Sequence, residues 1–461
     1  MPRRAGAETG KHLWTMKRIL MASADVVGEN MAGPAIRAVE LGRVLATRHD
    51  VTLAVPNQAQ ADVGVPLVPY RLETLAKLAA GFDVVIVGGL TLALSPGLAE
   101  LEVPIVVDIY PFTLENLELL ARHPMDERVR NAEELLEAVW IQLARGDFFL
   151  CASEKLRDFW LGMLHAVGRL NPHTYDADAT LRSLVGVVPF GLPSEPPRMN
   201  QHGLKGTRPG IGERDFVAYW GGGLYDWLDP VTAVRAAGLA AGRNPRVRLF
   251  FPATKHPNAA VRPMAAFEET RRVSAELGLM DRIVFFNDWV PYATRADYLL
   301  DSDVGLSLHL DHIETAFSFR TRILDYVWAG LPIVATEGDT LASTIKARNL
   351  GHVVPVGDVE AVASALAELA DEENPRVRYA EGLKAFASEL VWPRCAAALE
   401  AFCAAPRQAA DRAALYRFVP PGGAEMPRGR LSKALASLET GGLSQLWADL
   451  RAYVGRRRPG A

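Results

Sequence analysis

Along the chain, short and wholly apolar runs alternate with longer stretches in which apolar residues recur every three or four positions. The first run is "KRILMASA", from Lys17. A Gly/Asn loop follows, then the helical pattern "PAIRAVELGRVLATR", then a second run, "DVTLAVP". Strand, loop, helix and strand in that order predict a β-α-β unit and the start of a parallel sheet. The alternation continues through "FDVVIVGG", "VPIVVDIYP" and "DFFLCAS". It stops at 191–214, where "GLPSEPPRMNQHGLKGTRPGIGER" is rich in Pro, Gly and charge and reads as a linker. It then resumes as "DFVAYWGGG", "VRLFFPA", "RIVFFND", "DVGLSLH", "LPIVAT" and "GHVVPV". Runs that are apolar throughout, rather than every second residue, predict strands covered by helices on both faces. The pattern divides the chain into a tail (1–16), a first α/β domain (17–190), the linker (191–214), a second α/β domain (215–385), a helical crossover (386–406) and an extension (407–461). Both domains are predicted to be doubly wound. Such sheets bind ligands at the carboxyl ends of their strands, so the two domains should face each other across a cleft.

Composition narrows the function. The 461 residues are 49% apolar, ample for two cores, and the net charge of −4 argues against a general nucleic-acid binder. Cys151, Cys395 and Cys403 show neither metal-ligand spacing nor a disulfide framework, which points to a reducing cytoplasm. The start, "MPRRAGAETGKHLWT", lacks the apolar stretch of a secretory signal, and no apolar run approaches a membrane span.

Two glycine-rich loops each follow a predicted strand and open a helix. "ADVVGENMAGPAIR" holds Gly33, which either serves a turn or lets backbone approach a ligand at a helix N-terminus. "YWGGGLYDWLDP" holds Gly222 and Gly223, and three consecutive glycines favour a phosphate or sugar against the backbone over tight packing. Neither loop fits GxGxxG, which excludes a dinucleotide-dependent dehydrogenase. Trp289 and Val290, just past a strand, suit either the wall of a base pocket or the core. Asp301 and Asp303 form a DxD, but they directly precede a buried strand and are read as closing a turn, so no metal is expected. In "SFRTRILDYVWAGLPIVAT", Ser318 is read as a helix N-cap, and Arg322 and Asp325 share the face of a densely apolar helix. Charges kept on a packed helix suggest a ligand: an acid for a ribose diol, arginines for phosphates.

These motifs resemble the retaining GT-B glycosyltransferases of family four (glycosyl transferases group 1). That family's Gly-rich loop, "F-x-G-x-V-P", acid near "FG" and "E-A-M-A-x-G-x-P-V-V-A-T" correspond here to "GGG", "FNDWVP", "ETAFS" and "LDYVWAGLPIVAT". The resemblance runs from about Lys17 to Cys403 and is strongest to a subgroup with "SFRTRxLDYxWAGLP". It implies a GT-B fold, with a nucleotide-diphosphate sugar donor in the second domain and a glycan or lipid-linked acceptor in the first. It places Asp325 on the nucleotide ribose, Ser318 and Phe319 at the diphosphate, and Glu314 on the donor sugar. Gly222 and Gly223 match its phosphate-facing loop, Trp289 and Val290 its base-side loop, and Gly33 its glycine near the transferred sugar. Tyr110 stands where many members have histidine. Here the interval from Glu314 to Asp325 exceeds the family's E-x7-E, and the usual Arg and Lys near the second Gly loop are absent. Arg320 and Arg322 are therefore expected to meet the diphosphate, and His256 and His309 to reach sugar or phosphate. The sequence presents no evident nucleophile. In such enzymes the leaving diphosphate is held to assist the acceptor, and neither cofactor nor metal is required.

The alternative to a transferase is a catalytically degenerate GT-B protein that only binds nucleotide, against which the retained Ser318, Asp325 and glycines argue. In 431–458, Leu443, Leu446, Trp447, Leu450 and Val454 fall on one helical face beside terminal arginines. Such a helix either docks on the first domain or lies on an anionic membrane, placing the protein on the membrane's cytoplasmic face.

Overall fold

The apolar runs build two parallel sheets. The first contains β1 (Arg18–Ala22), β2 (Asp50–Val55), β3 (Leu67–Pro69), β4 (Val84–Gly88), β5 (Ile105–Asp108), β6 (Phe148–Cys151) and β7 (Val185–Val187), in the order β3-β2-β1-β4-β5-β6-β7. The second contains β8 (Phe216–Trp220), β9 (Val247–Phe251), β10 (Val284–Phe286), β11 (Val304–Ser307), β12 (Ile333–Thr336) and β13 (Gly351–Val354), in the order β10-β9-β8-β11-β12-β13. This computed structural model describes residues 15–59, 61–109, 112–257 and 264–417. Tyr110 and the amphipathic stretch 431–458 fall outside the described residues.

Both sheets reverse their strand order beside the first strand, between β1 and β4 and between β8 and β11. That reversal splays the connections and leaves a crevice at the carboxyl ends. The two glycine-rich loops leave β1 and β8 at these points. The central strands are buried on both faces, as their unbroken apolar runs require. The edge strands β3 and β7, three residues each, are not among the runs read from the sequence; β3 ends on Pro69 and β7 carries Gly186, two residue types that strands disfavour.

After the second sheet the chain returns to the first. Trp392, Leu399, Phe402 and Cys403 are buried in the same cluster as β1, β2 and the helix Gly33–Ala46. Phe402 stacks on Phe148 of β6 with ring centroids 4.7 Å apart. The following segment is stapled to the amino-terminal ends of β5 and β6, away from the crevice. Asp411 forms a fully buried bidentate pair with Arg169 (2.8 and 3.1 Å) and accepts from Asn171 (2.8 Å). Arg412 donates to Asp147 at 2.5 Å. The stretch read as a linker is also tied down: Asp301 accepts from the amides of Leu204 and Lys205 (2.8 and 2.9 Å), and the Lys205 ammonium pairs with Asp303 (2.8 Å). The DxD acids thus strap this segment to the second sheet. All three cysteines are buried and free. Among the described residues no helix is long and apolar enough to cross a membrane.

Candidate active site

The second glycine loop is shaped by its neighbours. Gly222 has φ +71°, a left-handed conformation that costs a side-chain-bearing residue energy, with open space where a Cβ would point. The Gly221 amide donates to the Tyr326 hydroxyl (2.6 Å), which donates in turn to the Leu306 carbonyl (2.6 Å). One buried phenol therefore joins the end of β8, the end of β11 and the helix Thr321–Ala329. Its ring passes so close to β11 that a Cβ on Gly305 would lie 2.3 Å away. Beyond the glycines, Tyr225 and Trp227 stack at 4.7 Å, and Leu228 bridges to His309.

The stretch after β11 forms the short helix Ile313–Phe317, three extended residues, and then the helix Thr321–Ala329. Ser318 is not the N-cap that the sequence suggests. It ends the first helix in extended conformation, its amide is bonded to the Thr315 carbonyl (3.2 Å), and its carbonyl accepts from the Thr340 hydroxyl (2.7 Å). Arg320 holds the N-cap position and makes no side-chain cap bond. Phe319 is buried. Glu314, 2% exposed, forms a bidentate pair with Arg320 (2.8 and 2.7 Å). Both Glu314 oxygens are thereby engaged, and the Arg320 charge already has a counter-ion.

Arg322 differs. Its nearest partners are the Gly223 carbonyl (3.3 Å) and the face of Trp220 (4.9 Å), and among the described residues no carboxylate pairs with it. Burial lowers its pKa to about 10.

Nine buried side-chain polar atoms have no partner among the described residues, and six of them lie between residues 307 and 339. They are Ser307 Oγ, His309 Nε2, His312 Nε2, Arg320 Nε, Arg322 Nη1 and Asp339 Oδ2. Buried polar atoms are normally satisfied, by protein or by ordered water, so this concentration singles out the end of β11. His309 Nε2 and Asp339 Oδ2 face each other at 3.7 Å. Burial, and secondarily Arg320, hold the His309 pKa down at about 3, so its ring is neutral. Burial pushes the Asp339 carboxyl up.

Asp325 lies on the same helix as Arg322. It pairs with Arg295 (Nε to Oδ1, 3.1 Å) and remains more exposed than its partner. Trp289 and His256 come together beyond β10 and β9, with ring centroids 6.0 Å apart, and Val290 is buried beside them in sequence. From the first domain, the helix Phe112–Leu119 packs against Ile313–Phe317. It brings Glu115 within electrostatic reach of Glu314 and Arg320. Burial first, then repulsion from Glu314, push the Glu115 carboxyl up to about 8, with Arg320 opposing. Gly33 opens its helix with nothing near its Cβ position. Among the described residues no group of three or more His, Cys, Asp or Glu is placed to hold a metal ion.

Two switch-point sheets, a cleft between them and a helix returning to the first domain can be compared with known proteins. Sucrose-phosphate synthase from Thermosynechococcus elongatus is similar with a TM-score of 0.56 at 15% identity, over 84% of this chain and 98% of that one. The fold is GT-B. HepE from Anabaena, solved in complex with UDP-glucose, gives 0.55 at 15% identity over 84% and 100% of the two chains. WaaG, a glycosyltransferase involved in lipopolysaccharide biosynthesis, gives 0.52 at 14% over 83% and 99%. The family model for Glycosyl transferases group 1 matches residues 253–372, which span β10 to β13 of this GT-B chain. No curated protein matches.

The GT-B crevice thus gathers Gly222, Gly223, Arg320, Arg322 and His309 around the end of β11, with Asp325 further along the helix and the Trp289–His256 pair on the β9–β10 side. Sequence reasoning missed Glu115, Arg295 and Asp339. Glu115 reads as an ordinary surface acid in "PFTLENLELL" and is singled out only by the approach of the two domains. Arg295 did carry a signal, because it is a cation at the first position of a helix, where the macrodipole disfavours positive charge.

Proposed function

We propose that this protein transfers a sugar, a hexose in the simplest case, from a nucleoside-diphosphate sugar to a glycan, glycolipid or lipid-linked acceptor with retention of anomeric configuration. The observation that carries the reading is the set of unpartnered buried polar atoms at the end of β11, above all Arg322 Nη1. A buried cation lacking a counter-anion is costly, and a diphosphate supplies one. In this reading the Gly221–Gly223 backbone and Arg322 hold the diphosphate, with Arg320 Nε adding a donor. The base lies toward Trp289 and His256, and Asp325 binds the ribose. As the glycosidic bond breaks, negative charge grows on the leaving diphosphate, and a guanidinium in a water-poor site stabilises it more than water would. The acceptor enters from the first domain, past Gly33 and Glu115. The protein contributes positioning and charge, and the departing phosphate receives the acceptor proton. The setting suits assembly of a surface polysaccharide or glycolipid on the cytoplasmic side of a membrane.

The test is a turnover assay across nucleotide sugars in excess chelator, with product stereochemistry read by proton NMR. Transfer with the donor's configuration kept supports the reading. An inverted product, or activity abolished by chelator, removes the retaining, metal-independent part. Nucleotide binding without turnover on any acceptor would favour the degenerate binding protein.

A further inference from the structure

Asp325 alone is a poorly defined ligand for a diol. It sits beyond the first turn of its helix, its side chain is 38% exposed, and an exposed aspartate samples several rotamers. Arg295 removes that freedom. Its Nε donates to Oδ1 at 3.1 Å, so one carboxylate oxygen is pinned on a side chain that is still partly open to solvent. Arg295 is itself held on every side. Its guanidinium carbon is 3.7 Å from the Tyr292 ring centroid and 4.5 Å from that of Trp328. Its Nη1 donates to the Tyr292 carbonyl at 2.7 Å.

The two rings are anchored outside the second sheet. The Tyr292 hydroxyl donates to Glu40 in the first domain (3.3 Å), and Glu40 is fixed in turn by Arg43 (2.7 Å). The Trp328 indole donates to the Glu195 carbonyl in the segment joining the domains (2.8 Å). A pair serving only as an exposed ion bridge would contribute little and would need no such housing. A planar, always-charged guanidinium stacked between aromatic rings is suited to presenting a carboxylate in one orientation.

We infer that Arg295 is a positioning residue that aims Asp325 at the 2′- and 3′-hydroxyls of the donor ribose. This rests on the assignment of Asp325 to the ribose made above, and the experiment separates the two.

UDP, GDP and ADP are compared by calorimetry, and the tightest binder is then measured against its 2′-deoxy counterpart and against pyrophosphate. Wild type, Asp325→Ala, Arg295→Met and Arg295→Lys are used, each checked for folding by thermal melting. The expected wild-type preference for the ribonucleotide is about tenfold, the value of one good hydrogen bond near 1.4 kcal/mol. Asp325→Ala and Arg295→Met should both reduce it to below about threefold while leaving pyrophosphate affinity unchanged, and Arg295→Lys should recover part of it. If Asp325→Ala loses the preference and Arg295→Met keeps it, Arg295 does not position the acid. If Arg295→Met weakens ribonucleotide, deoxynucleotide and pyrophosphate alike, with a lowered melting temperature, its role is structural and the inference fails. If Asp325→Ala keeps the preference, or none of the three nucleotides binds, the ribose assignment itself is wrong and the inference falls with it.

Discussion

Arg322 offers a substitution whose effects on stability and on binding should have opposite signs. Its pKa is lowered to about 10, chiefly by burial, so the charged form is disfavoured in the fold at every pH below about 10. That lowering corresponds to at most about 3 kcal/mol of unfavourable charge placement at neutral pH. Replacing Arg322 by Met removes the charge together with the guanidinium's contact to the Trp220 ring, a smaller contribution of about 0.5–2 kcal/mol, so the apo protein should melt at the same temperature or a few degrees higher. The diphosphate should lose one or two charge-assisted hydrogen bonds, each about 1.5–3 kcal/mol, which is roughly a ten- to 150-fold loss of affinity for a single bond. Arg320→Ala should behave differently. It strands Glu314 as a buried, uncompensated carboxylate, a change that typically costs about 3–5 kcal/mol, and so should lower the melting temperature before it affects any ligand. Differential scanning fluorimetry with and without a saturating nucleoside diphosphate, the tightest binder of UDP, GDP and ADP, followed by calorimetry, reads both effects. An Arg322→Met protein that melts lower than wild type, or that still binds that nucleoside diphosphate with wild-type affinity, would refute the reasoning and make this cation structural.

Three further outcomes follow from the same geometry. With its pKa raised to about 8, Glu115 is protonated at neutral pH and adds an anion beside Glu314 and Arg320 at higher pH; on the proposed reading donor affinity should therefore fall as pH rises through about 8, and Glu115→Gln should flatten that profile in calorimetry between pH 6.5 and 9.5. Asp411→Ala leaves Arg169 charged, fully buried and without its counter-ion, for an expected loss of about 3–5 kcal/mol in urea unfolding, so any truncation meant to test the extension should fall after Arg417 rather than before Asp411. Gly305→Ala puts a methyl carbon 2.3 Å from a Tyr326 ring fixed by two hydrogen bonds, and an unchanged denaturation midpoint would show that this packing is looser than described.

The fold was legible because its signal is local. Eleven of the strands announce themselves as apolar runs, and the loops after β1 and β8 carry their glycines where the strand order later reverses. What escaped was what depends on three dimensions. Ser318 has the chemistry of a cap, but its carbonyl is claimed by Thr340, twenty-two residues on, and the helix starts three residues later. Arg320 and Arg322 look equivalent two positions apart. Only the fold shows that Glu314 neutralises the first and that nothing among the described residues neutralises the second.

The same distinction governs how the site should be read. A charged residue on an apolar helix is a weak indication of function, because a partner distant in sequence can satisfy it, as Glu314 satisfies Arg320. It becomes a strong one when its charged end is buried and still lacks a partner. Arg322 meets that condition and Arg320 in large part does not. Arg295 is the opposite case: its charge is satisfied by Asp325, and its position at a helix N-terminus is unfavourable on its own. A residue kept where the local field disfavours it has to be compensated by what it holds, and Asp325, half open to the cleft, is the group that Arg295 holds.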